Sequence, residues 1–171
     1  PVPAAIDRCE RLLRDVPPTR SLRASVIGVL AGLRAMQGDF DEARQLHDEA
    51  REIWQELGHR FRIAMRSLMA ADIELLAGRP AEATRVLQWA HGELTAMGAQ
   101  SVIPPISAFL ADALCEEGEF EEAERFARLA KGGATAVDVV AQVMWRIALA
   151  RATADTGLAR EAVALAERTD S

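Results

Sequence analysis

The chain has 171 residues, half of them hydrophobic and 27% charged, which excludes a disordered tail and allows a core of one domain's size. A net charge of −6 and a pI near 5.2 argue against a nucleic-acid binder, which would carry a basic face. No uninterrupted apolar run reaches the roughly 18 residues of a membrane span, and the N-terminus lacks the basic-then-apolar layout of a signal peptide.

Alanine occurs 33 times and Lys131 is the single lysine, so the composition is that of Ala, Arg, Leu and Glu and favours helix. In chain order, a leading helix is expected from Pro3 to Asp15, broken by Pro17-Pro18. Four pairs follow, at 20–37 with 39–57, 60–77 with 80–97, 101–117 with 119–131, and 136–154 with 157–169. Pro104-Pro105 suit the opening turn of the sixth helix. Ile27, Leu30, Ala31 and Arg34 fall on one helical stripe, as do Leu46, Ala50, Ile53 and Leu57. Gly132-Gly133 reads as a loop breaker after the seventh helix. Cys9 and Cys115, far apart in an Ala-rich helical chain, read as buried reduced thiols in a cytosolic setting, with a disulfide left open.

A repeat underlies these pairs. Residues 36–50 read MQGDFDEARQLHDEA, 76–90 LAGRPAEATRVLQWA and 116–130 EEGEFEEAERFARLA. Gly38, Gly78 and Gly118 are each followed five residues later by Ala43, Ala83 or Ala123, and seven further on by Ala50, Ala90 or Ala130, at a period of 40. Gly58 and Gly98 keep the same step. The first glycines fit a left-handed turn between two helices, and the second close the following helix. The alanines share one face and let the paired helix approach closely. The expected units are a leading helix at 3–19 and helix pairs at 20–58, 59–98, 99–133 and 134–171, in one domain covering 1–171. The fourth unit is irregular. Gly157 and Ala162 keep the Gly-to-Ala spacing at a step of 39, whereas Arg160-Glu161-Ala162 also matches Asp48-Glu49-Ala50, with residues then missing around Ala154–Leu158. Both registers stand at this point. The chain begins with Pro1 and not Met, so a piece of a longer protein is expected.

The GDFDEA-type turn, with alanines near the start and middle of the second helix, resembles the tetratricopeptide repeat from Pro3 to the end. The unit is longer than that family's 34 residues, and Ile27, Ser67 and Ser107 stand where the family carries an aromatic. PAAIDRCERLL, GDFDEARQLHDEAREIWQELG and REAVALAERTD further resemble helical arrays of actinobacterial multidomain regulators. In those proteins the array follows an AAA-type or signal-transduction ATPase, often with a class III nucleotidyl cyclase or a DNA-binding domain. The resemblance implies an all-α fold, an alpha-alpha superhelix built as a right-handed solenoid of antiparallel helix pairs. It implies a regulatory role in a cytoplasmic protein.

No catalytic constellation is present. His47, His59 and His91 form no His-x-x-x-His, and no Cys-x-x-Cys, phosphate loop or nucleophile elbow occurs, so no enzyme activity, metal or cofactor is expected of this segment. His47 lies on the core side of its helix and His59 in solvent. Glu116, Glu117, Glu119, Glu121, Glu122 and Glu124 read as a solvated surface and a favourable helix start. Of Trp54, Trp89 and Trp145, at least two are expected to fill core space between small residues. A solenoid's first helices line its concave face. There the register places Leu68, Asp72, Ala108, Asp112, Ile147 and Arg151, with Met65 and Met69 nearby. Asp72 and Asp112 hold the same place in consecutive units and could bind a basic or amine group. The expected function is a non-catalytic protein-interaction scaffold, a regulatory segment of a larger signalling or transcription regulator. Its partner would be a protein or peptide, another domain of the same chain or a second copy, with no nucleic acid and no membrane. The alternative is an effector sensor holding a small molecule on the concave face.

Overall fold

The computed structural model describes residues 2–15, 19–135 and 138–168. The expected break at Pro17-Pro18, the helix start at 136 and the helix end at 169 lie outside the described residues. Among the described residues the chain is all-α, with nine α-helices, one 3-10 turn (Gln100–Val102) and no strand. The helices are α1 (Val2–Asp15), α2 (Arg20–Ala35), α3 (Phe40–Glu56), α4 (Arg60–Leu76), α5 (Pro80–Ala96), α6 (Ile103–Glu117), α7 (Phe120–Gly133), α8 (Val139–Thr153) and α9 (Thr156–Glu167).

The punctuation of this series is glycine. Gly38, Gly58, Gly78, Gly98 and Gly118 recur every 20 residues and all have positive φ, between 69° and 87°. At the end of α2, the Asp39 N–H donates to the Arg34 carbonyl and the Gly38 N–H to the Ala35 carbonyl, both at 3.0 Å. The same two bonds close α3, α4, α5 and α6. They satisfy carbonyls that a helix end would otherwise leave bare, and the left-handed residue they require costs glycine nothing. Residues other than Asn or Asp there give up about 1–2 kcal/mol.

The last turn departs from this pattern. Ala154, with φ 54°, takes the left-handed place between α8 and α9. Gly157 lies inside α9, so it is not the turn residue that the step of 39 suggests. The Asp155 carboxylate starts this helix instead, accepting from the N–H groups of Gly157 at 2.8 Å and Leu158 at 3.1 Å. The buried Ala162 follows six residues after the helix start, against ten for Ala50 in α3. A second correction concerns Gly132-Gly133, which are the final residues of α7 and not a loop. A Cβ on Gly133 would run into the Pro104 ring, so glycine there lets the end of α7 lie against the start of α6.

The chain divides into two compact units, Pro1–Arg79 and Pro80–Ser171. The boundary falls between α4 and α5, which the spacing predicts as one pair. In the first unit α2 and α3 pack antiparallel. Ala24 and Ile27 meet Ala50 and Trp54, while Ala31 and Ala35 meet Ala43. Ion pairs join the same ends, Arg20 to Glu56, Arg23 to Glu49 at 2.9 Å and Arg34 to Glu42 at 3.2 Å. Ala43 has no exposed surface, which is why the helices approach so closely. Ile6 and Cys9 of α1 close on Leu30, and Arg34 also pairs with Glu10 at 2.8 Å. On the other side α4 runs parallel to α2. A Cβ at Gly28 would lie 3.6 Å from the Arg66 guanidinium, and one at Gly32 only 2.5 Å from the Met69 sulfur. Those two glycines are the seat that α4 occupies.

In the second unit α6 is buried along nearly its whole length, from Ile103 to Cys115, because α5, α7 and α8 all pack on it. Pro104 and Pro105 open it, as the sequence predicts. Leu87, Leu94, Ile106, Leu110 and the alanines Ala83, Ala90, Ala123 and Ala130 form its interior. Trp145 is buried with its indole N–H donating to Gln142 at 3.1 Å, between the Lys131 ammonium, 5.0 Å from the ring, and the Arg146 guanidinium at 4.2 Å. Trp54 is equally buried in the first unit, and Trp89 is exposed. Cys9 and Cys115 are both free thiols, buried, with burial pushing each pKa up.

Candidate interaction surface

Packing uses up three faces of α2. Ile27, Ala31 and Ala35 point at α3, Val26, Leu30 and Leu33 at α1, and Gly28 and Gly32 at α4. Leu22, Val29 and Met36 remain, spaced by seven residues and so on one line along the helix, and they are 50%, 45% and 66% exposed. On α4 the unused line is Phe61, Met65, Leu68, Asp72 and Leu76, at steps of four, three, four and four. Phe61 and Leu76 at its ends are exposed, and the three between them are half-buried. The two lines run side by side, since α4 sits on α2 through Gly28 and Gly32.

Asp72 is the one charge in the α4 line. Its neighbours on the helix surface, three and four residues away, are Leu68, Met69, Leu75 and Leu76. Burial among them raises its carboxyl pKa. The Arg34 guanidinium on α2 is held by Glu10 and Glu42, that of Arg62 lies over the Trp54 ring at 4.9 Å, and that of Arg66 lies on Gly28.

The corresponding face of the second unit is charged. Arg151 on α8 pairs with both Asp112 and Glu116 on α6. Burial works against the Arg151 charge, but the Glu116 hydrogen bond and the charges of Asp112 and Glu116 outweigh it and raise its pKa. Ile147, one turn before Arg151, is exposed. Ala108 lies beneath, fully buried, where a partner could not touch it.

Of the eight residues that the register points to, then, Met65, Leu68 and Asp72 share one accessible face of the first unit, while Met69 turns away to cover Gly32. In the second unit Asp112 and Arg151 are joined to each other, and Asp112 is not the unpaired twin of Asp72. Leu22, Val29, Met36, Phe61 and Leu76 were missed. The signal for the first three is the seven-residue apolar spacing on the side of α2 opposite the core stripe, and for Phe61 and Leu76 the three- and four-residue steps that join them to Met65, Leu68 and Asp72 on α4. His47, half-buried as expected, has its pKa lowered by burial and its Nε2 at 3.4 Å from the Arg66 carbonyl. His59 is exposed beside Trp54. Much of the acidic cluster is held in ion pairs, Glu122 with Arg125 at 2.7 Å, Glu124 with Arg128 and Glu116 with Arg151.

Residues 22–91 match the family model of the tetratricopeptide repeat, from the third residue of α2 into α5. No curated protein matches the chain. The match and the all-helical architecture of antiparallel pairs place the fold in the alpha-alpha superhelix class. Repeats of this class generally mediate protein–protein interaction and are typically non-catalytic. Among the described residues no helix is long and apolar enough to cross a membrane, and no group of three His, Cys, Asp or Glu is placed to hold a metal.

Proposed function

We propose that this chain is a non-catalytic interaction module, a regulatory segment of a larger cytosolic signalling or transcription regulator, holding a protein, a peptide or another domain of its own chain. The observation that carries the interaction reading is the paired apolar line on α2 and α4, exposed at Leu22, Val29, Met36, Phe61 and Leu76. Large apolar side chains exposed in a contiguous row are what a docking surface offers, whereas scattered ones need no explanation. The setting in a larger regulator rests on the resemblance of PAAIDRCERLL and GDFDEARQLHDEAREIWQELG to arrays of multidomain regulators. Two buried unpaired thiols accord with a reducing compartment.

Photo-crosslinking in the native cell tests the interaction. A crosslinking residue at Val29 or Leu76 is expected to trap one and the same partner, and one at the exposed Arg128 on α7 is not. Identical capture from all three positions would remove the α2–α4 face from the proposal. An immunoblot for this segment tests the setting: a band several times larger than 18.6 kDa is expected, and one at that mass would overturn it.

A further inference from the structure

The geometry points to a specific chemistry for the partner of the α2–α4 face: we propose that it takes an apolar segment of a partner protein presenting one Lys or Arg to Asp72. This rests on the interaction reading of that face and adds what the partner must carry.

Two independent features lead there. The first is apolar: on α2, Leu22 to Met36 spans about 21 Å, which matches roughly 14 helical residues of a partner. The three exposed α2 side chains and those of Phe61, Met65, Leu68 and Leu76 offer no hydrogen-bonding groups along that length, so a polar segment would lose its water without compensation. The second is electrostatic. Among the described residues no hydrogen bond or ion pair reaches the Asp72 carboxylate, although it stands half-buried in the α4 line, one turn before Leu76, with Leu68, Met69, Leu75 and Leu76 as its helix neighbours. Covering the face with an uncharged segment would complete the burial of that charge unpaired, and covering it with an acidic one would add repulsion. A single cation opposite Asp72 removes both penalties, and the pairing strengthens as water leaves. The net charge of −6 also favours approach of a basic segment.

The test is selection from a displayed library of random 16-residue peptides on the full 171-residue chain, followed by anisotropy titration of the synthetic consensus peptide. The expected consensus has apolar residues at three- and four-residue spacing with one Lys or Arg toward one end. Asp72→Asn, checked for retained helicity by circular dichroism, should weaken that peptide about tenfold or more, and replacing the peptide's basic residue by norleucine should erase the difference between the two proteins. A consensus peptide that binds Asp72→Asn as well as wild type, yet is lost with Val29→Ser and Leu76→Ser, would overturn the inference and leave the docking face standing. No enrichment, or binding indifferent to Val29→Ser and Leu76→Ser, would overturn both.

Discussion

The two units solve the same packing problem and finish their first helices differently. In each, alanines with almost no exposed surface let neighbouring helices touch, Ala43 and Ala50 in one and Ala83, Ala90, Ala123 and Ala130 in the other. Each buries one tryptophan. Yet the free face of α2 and α4 is apolar around an unpaired carboxylate, whereas that of α6 and α8 carries Arg151 bound between Asp112 and Glu116. The backbone repeat therefore dictates the interior and leaves the surface chemistry free. Asp72 and Asp112 are equivalent in register and opposite in circumstance, because one finds a cation a repeat away and the other does not.

The comparison can be broken at four levels. Trp54→Ala removes the largest buried side chain of the first unit and should cost about 3–5 kcal/mol, read as a fall in denaturation midpoint. Ala43→Leu and Ala83→Leu place a branched side chain where no space exists, at about 1–3 kcal/mol each in thermal or urea unfolding, and an unchanged melting curve for either would refute the shared packing role. Arg151→Ala should cost at most about 1 kcal/mol, since the pair is partly exposed, and the loss should shrink as salt is raised.

Asp72→Asn is the smallest effect and has the opposite sign. Its folded-state pKa is raised above the ordinary 3.8, so the protonated acid is favoured by folding, and that contribution disappears as pH rises through the folded value. At pH 7 the wild type bears the cost of a desolvated charge, and Asp72→Asn should melt slightly higher. Below about pH 3.8 the two proteins should melt alike. A variant that melts lower at pH 7 would mean that the carboxylate has a stabilising partner.

Much of this architecture was legible in the residue order. A glycine that must turn left-handed and an alanine that must vanish under a neighbouring helix admit few substitutes, so Gly38, Ala43 and Ala50 announced themselves at a period of 40. Helix ends came within a few residues for the same reason. The failures lie where a local rule was overridden. Ala154 adopts a conformation that alanine disfavours, so nothing in its identity marks the turn, and the nearby Gly157 leaves two registers open in the residue order. Gly132-Gly133 signalled a loop, but their value is the room they leave for Pro104 at the end of a helix. For the site, register sets Met65, Leu68 and Asp72 on one line of α4 and is blind to what each side chain finds in space. The pairing of Asp112 with Arg151, 39 residues on, depends on which long side chain bends toward which, and Met69 follows the cavity that Gly32 leaves.

The solitary lysine gives each half of the molecule its own optical channel. Lys131 Nζ lies 5.0 Å from the Trp145 ring, and the first unit contains no lysine at all. An amine-directed acceptor dye on that side chain would quench Trp145 emission at near contact and lose its grip as the second unit opens. With the exposed Trp89 replaced by Phe, the indole of Trp54 would meanwhile answer to the first unit's own unfolding, so one labelled sample can show which of the two lets go first.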